Sequence, residues 1–234
     1  MIKSNAKVTA NDKNKNLIKT LLVFLSYFLY TNVVSSVLSA IGVTDSTVIS
    51  FTSDIIFFVG IMYAYKENLK RDFLDLKSNY KISKIIKTII LWVGVIFVSN
   101  ILMGALTEMI SPNMAIDDNT NAIFSVSKIS TVYAIFKTMI FAVVAEELLF
   151  RESIGDVVNS TCGFVFASST IYTIMNFIYS GFSSKNLIIY LLIYFVPALI
   201  LSTAYVKNNR NIFVLMLIKF VYQLIPLTIL LLGL

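Results

Sequence analysis

Histidine is absent from the 234-residue chain, cysteine occurs once, and there are only three prolines and eight glycines. Without histidine there is no His-Glu-x-x-His zinc site and no serine–histidine dyad, and the aspartyl Gly-x-Gly-Asp arrangement is missing as well. The single cysteine, Cys162, excludes an internal disulfide. With no base in view, it reads as a buried and inert thiol. The shortage of proline and glycine leaves little room for linkers, and no internal repeat is visible. Charge is scarce too: 14% of residues are charged against 57% hydrophobic, and the mean hydropathy is +0.82. These values exclude a soluble domain of ordinary composition and point to a polytopic membrane protein. The net charge of +6 does not indicate nucleic acid, because the lysines sit beside hydrophobic runs, as cytoplasmic loop charges do.

What is present divides into spans and loops. A basic tail, residues 1–20, carries Lys3, Lys7, Lys13, Lys15 and Lys19 against Asp12, and a single transmembrane domain is expected over 21–234. The first apolar run, Leu21 to Ile41, is longer than a signal-peptide core and reads as a retained signal anchor. A second run, Val48 to Tyr65, is interrupted only by Asp54, read as an outer-interface residue. Lys66 to Lys87 is the strongest cytoplasmic marker in the chain, with contact to anionic lipid as a secondary reading. A third span, Ile85 to Leu106, leads to an acidic loop, Glu108 to Asn121, read as external. The fourth span, Ile129 to Phe150, returns inward; if its Lys137 snorkels to the outer interface, Glu146 lies deeper than counting suggests. Arg151 to Thr161 reads as a polar inner connection, followed by spans at Cys162 to Ser180, Leu187 to Tyr205 and Ile212 to Leu232. The expected fold is all-α, an integral membrane bundle of about seven transmembrane helices, with an eighth if 123–130 forms its own element. The N-terminus is expected on the cytoplasmic side of the cell membrane.

The charges inside the spans need partners, since an acidic or basic residue near the centre of a spanning helix costs roughly 2.5 to 3.5 kcal/mol. Glu147 and Arg151 stand four apart on one helical face, close enough to pair. Glu146 lies about 100° further round an α-helix and must find its partner on another segment. In the fifth span Ser169, Tyr172, Asn176 and Ser180 share a face, and in the seventh Lys219 and Gln223 do. Lys219 either snorkels or pairs with Glu146, and pairing is favoured because each charge then stabilises the other.

Glu146-Glu147-Leu148-Leu149-Phe150-Arg151 resembles the Glu-Glu-x-x-x-Arg motif of the CPBP (Abi) family, which comprises type II CAAX prenyl endopeptidases and bacteriocin-processing enzymes. Tyr172-Thr173-Ile174-Met175-Asn176 falls where that family has Phe-x-x-x-His, and Lys219-Phe220-Val221-Tyr222-Gln223 where it has His-x-x-x-Asn or Asp. The resemblance covers about 132–226. It implies a metal-free and cofactor-free site, with Glu146 at the base position and Glu147 and Arg151 as a structural pair. Asn176 stands at the water-activating position, Lys219 and Gln223 at the oxyanion positions, and Tyr172 is the candidate substrate contact. Asn176 cannot transfer a proton near neutral pH, whereas Lys219 and Gln223 retain hydrogen-bond donors for an oxyanion.

The resemblance therefore implies a pseudoprotease, a bacterial membrane protein acting by contact with a membrane-protein or peptide partner in regulation, scaffolding or bacteriocin immunity. The competing reading is an active endopeptidase with Glu146 as base and Lys219 in the place of histidine. A third is a small transporter, because charges at the midplane also mark ion paths.

Overall fold

The computed structural model describes residues 10–110, 130–179 and 187–232, and every element among them is helical. Residues 111–121 of the expected acidic loop, the segment at 123–129 and Ser180 lie outside the described residues, while 108–110 belong to the end of a helix. Helices α1 (Ala10–Ala40) and α2 (Ser46–Ala64) form an antiparallel pair. Asp45 starts α2 as an N-cap, its carboxylate accepting from Thr47 N at 2.8 Å and Val48 N at 3.0 Å, which satisfies two of the free amides of the first turn. A break at Tyr65 leads into α3 (Lys66–Asn79), and α4 (Ile82–Ile110) follows. The basic stretch read as a loop is thus mostly helix. Its apolar positions, such as Leu69 and Leu76, recur on one face and pack inward while the lysines face out.

The helix bearing the two glutamates, α5 (131–157), is continuous but not uniformly α. It begins as α-helix at Thr131–Ile135, is π-wound over Phe136–Ala145 and again over Leu148–Glu152, and ends as α-helix at Ser153–Val157. The wider winding shows in the i to i−5 bonds from Glu146 N to Phe141 O and from Ser153 N to Leu148 O. The expected polar connection from Arg151 is corrected here. The helix runs two turns further, and Arg151, Glu152 and Ser153 are buried because α1, α3 and the later helix Leu187–Lys207 close over them.

Three helices complete the bundle: α6 (Thr161–Tyr179), α7 (Leu187–Lys207) and α8 (Ile212–Leu232). Asn209 and Arg210 take positive φ angles of 57° and 54° in the turn between α7 and α8. The Arg210 guanidinium holds that turn by donating to the carbonyls of Gly155, Val158 and Asn159 at the end of α5. Helix α5 runs through the middle, against α2 and α8, and its Phe141, Ala145, Leu148, Leu149 and Phe150 are almost wholly buried.

Among the described residues four helices are long and apolar enough to cross a membrane: Lys13–Ala40, Ser46–Ala64, Ile82–Ile110 and Thr161–Ile178; Leu191–Lys207 and Ile212–Thr228 are shorter apolar helices. The apolar surfaces of α1 and α4 face outward, with Leu21, Leu22, Ile90 and Ile101 among the exposed residues, as a lipid-facing helix requires. The chain is an all-helical polytopic membrane protein.

Candidate functional site

Glu146 and Glu147 lie between the two π-wound stretches of α5. From this short α-helical link both carboxylates reach toward α8. Lys219 of α8 meets them. Its Nζ donates to Glu147 Oε1 at 2.7 Å and to Glu146 Oε2 at 3.0 Å. One turn along α5, Arg151 Nε stands 3.3 Å from Glu147 Oε2, and Arg151 Nη2 donates to the Ala198 carbonyl of α7 at 3.5 Å. Two carboxylates and two cations make a group of zero net charge, which limits the cost of holding it away from water.

Tyr172 of α6 forms one wall of this cluster. Its ring centre lies 4.9 Å from the Arg151 guanidinium and 5.9 Å from Lys219 Nζ, within cation–π range, and the ring packs edge-on against Phe150 at 5.0 Å. The side chains of Glu147 and Arg151 are fully buried and Lys219 nearly so, while Glu146 remains 20% exposed. Access to the group is therefore through Glu146.

The other sequence candidates stand apart from this contact set. Asn176 Nδ2 donates to the carbonyl of Tyr172 in its own helix at 2.8 Å. Gln223, partly exposed one turn beyond Lys219, makes no hydrogen bond among the described residues. Ser169 faces α7 and joins a buried serine knot: Ser169 Oγ to Ser202 Oγ at 3.3 Å, Ser202 Oγ to Ser168 Oγ at 3.1 Å, and Ser168 Oγ to the Phe150 carbonyl at 2.7 Å. Small hydroxyl residues allow α6 and α7 to approach closely here.

Two buried acids went unassigned in the sequence. Asp54, expected at the outer interface, is 2% exposed and accepts from Lys137 Nζ, Tyr30 Oη and Tyr133 Oη, each at 2.8 Å. Lys137 also lies 4.2 Å from the centre of the Phe141 ring. An acid inside an apolar run was the available signal. Glu152, 1% exposed, accepts from Asn68 at 2.6 Å, from Arg71 at 3.1 Å and from the Tyr205 hydroxyl. Its partners lie 53 to 84 residues away, beyond the reach of local spacing. Cys162, expected to be buried, is exposed because it falls in the first turn of α6. Outside the spans, burial lifts the Tyr65 phenol at the α2–α3 junction well above its usual range. Among the described residues no group of three or more acidic or cysteine side chains is placed to hold a metal ion.

Residues 128–225 match the family model described as Type II CAAX prenyl endopeptidase Rce1-like. Over this stretch the chain is similar to that family. The match takes in α5, α6, α7 and most of α8, with all seven candidate site positions, while α1 to α4 lie outside it. No curated protein matches the chain, and no solved structure does.

Proposed function

We propose that this chain is a non-catalytic protein of the CPBP type that works by binding a membrane protein or a peptide, in regulation, scaffolding or bacteriocin self-immunity. The observation that carries the reading is the position of Lys219, whose Nζ bonds both Glu146 and Glu147. With the ammonium bonded to both, neither carboxylate is free to take a proton from water without giving up that contact, so the contact that makes the cluster tolerable also opposes its use in proton transfer. Asn176 supports the same reading, since an amide bonded to its own helix neither takes nor delivers a proton. The basic segments support an N-terminus on the cytoplasmic side of a cell membrane in this scheme.

A second reading, an endopeptidase with Glu146 as base and Lys219 in place of histidine, draws on the partial exposure of Glu146. One experiment separates the two. Protein purified in detergent is incubated with a fluorogenic library of transmembrane and bacteriocin-leader peptides. Wild type, Glu146→Ala and the double variant Asn176→His, Lys219→His are compared. The proposal expects no turnover by wild type and cleavage, if any, only in the double variant. Wild-type cleavage that Glu146→Ala abolishes would overturn it.

A further inference from the structure

Helix α3 carries two faces with different work, and among the described residues only one of them is occupied. Its inner face is tied to α8 and α5. Asp72, 2% exposed, accepts from Ile212 N at 3.1 Å, Asn211 Nδ2 donates to the Asp72 carbonyl at 2.8 Å and to Asp75 Oδ2 at 2.9 Å, and Arg71 reaches Glu152 at 3.1 Å. Two of the three acids of α3 are thereby turned inward.

The outer face is a stripe. Lys66, Lys70, Phe73 and Lys77 follow one another at spacings of four, three and four, which places them in line on a helix. All four are exposed, Phe73 by 52%, and Leu74 beside them by 54%. None of the three lysines is ion-paired among the described residues; Lys66 lies over the Tyr63 ring at 4.4 Å. Lys81, Lys84 and Lys87 extend the charge into the start of α4. Because α3 joins the end of one candidate span to the start of the next, it lies at a membrane face. A helix about 21 Å long with lysines flanking exposed apolar side chains has the composition of an interfacial helix.

We propose that this stripe binds the headgroups of anionic phospholipids, with Phe73 and Leu74 entering the acyl boundary, and that the engagement steadies α8 through Asp72. The occupant follows from charge complementarity combined with position: an unneutralised lysine row at a membrane face meets phosphodiester headgroups before any soluble anion. The coupling follows from connectivity. Asp72 holds the first residue of α8, and Lys219 lies seven residues on, about 10 Å along the same helix. The proposal is independent of whether the Glu146 cluster is catalytic.

The test uses the full chain in detergent, with phosphatidylglycerol and phosphatidylcholine as probes and native mass spectrometry as the readout. Wild type is expected to retain phosphatidylglycerol over phosphatidylcholine by about tenfold or more, and the triple variant Lys66→Gln, Lys70→Gln, Lys77→Gln to lose that preference. A control with Lys13, Lys15 and Lys207, exposed elsewhere, changed to Gln keeps it. Inorganic phosphate does not compete. Equal retention of the two lipids by wild type, an equal loss in the control variant, or tighter capture of an acidic peptide by the stripe would overturn the lipid assignment. For the coupling, hydrogen exchange over 212–219 is expected to slow with phosphatidylglycerol in wild type and not in Asp72→Asn, which still retains the lipid. Equal slowing in both proteins would overturn the link through Asp72.

Discussion

Lys219 Nζ sits between Glu147 and Glu146, 2.7 Å from one carboxylate and 3.0 Å from the other, and it reaches them from a different helix. Removing it strands two carboxylates beside one remaining cation, Arg151. Lys219→Met is expected to cost about 3–5 kcal/mol, the usual penalty for breaking a buried pair from one side. Glu146→Gln should cost less, because that side chain is 20% exposed. Thermal unfolding in detergent measures both, and the double variant Lys219→Met, Glu147→Gln should recover part of the loss. An unchanged midpoint in Lys219→Met would mean that the carboxylates already reach water.

The serine knot between α6 and α7 predicts a dependence on size. Ser202 is fully buried against Ser168 and Ser169. Ser202→Leu should destabilise by about 1–3 kcal/mol through overpacking. Ser202→Ala loses only a hydrogen bond, about 0.5–1.5 kcal/mol. The ranking in a thermal or chemical unfolding series checks it, and a reversed order would remove close helix approach as the cause.

Asp54 and Lys137 should behave as a coupled pair. Asp54→Asn and Lys137→Met, made singly and together, are expected to show a coupling of about 0.5–3 kcal/mol, as groups in direct contact do. Tyr133→Phe should weaken the coupling if the three donors share the carboxylate, since they form one network. Additive effects in the double variant would show that the pair contributes nothing beyond its separate groups.

The lone cysteine gives a direct check on orientation. Cys162 is exposed at the start of α6, on the side expected to be cytoplasmic. A membrane-impermeant maleimide should therefore label inside-out vesicles and leave intact cells unlabelled. Labelling of intact cells would invert the whole topology, including the face assigned to α3.

The apolar helices could be read from the sequence because length and hydropathy are properties of contiguous residues: α2, α4 and α8 lie within a few residues of the expected runs. Glu146, Glu147 and Lys219 stood out for a related reason, since charge in an apolar helix has to be matched. The π winding of α5 had no such signature, because a switch from i−4 to i−5 bonding leaves no mark in residue type. Helix α3 was hidden by its own composition: ten polar residues in fourteen read as a loop until the inward side of Leu69, Asp72 and Leu76 is known. Glu152 had no local mark as a centre because its donors come from remote segments, whereas Asp54 stood out as an acid in an apolar run whose donors the sequence could not name.

The separation of Lys219 from its acids also sets an order in time. Glu147 acquires Arg151 four residues later, but Glu146 has no cation until α8 exists, 73 residues downstream. At synthesis rates of about 5–20 residues per second, that is an interval of about 4 to 15 seconds. During it α5 carries an uncompensated acid, and the emerging protein must shelter that acid at the insertion machinery or at the bilayer surface. Completion of the charge group therefore waits on α8, and a chain truncated before Lys219 would leave Glu146 without this partner.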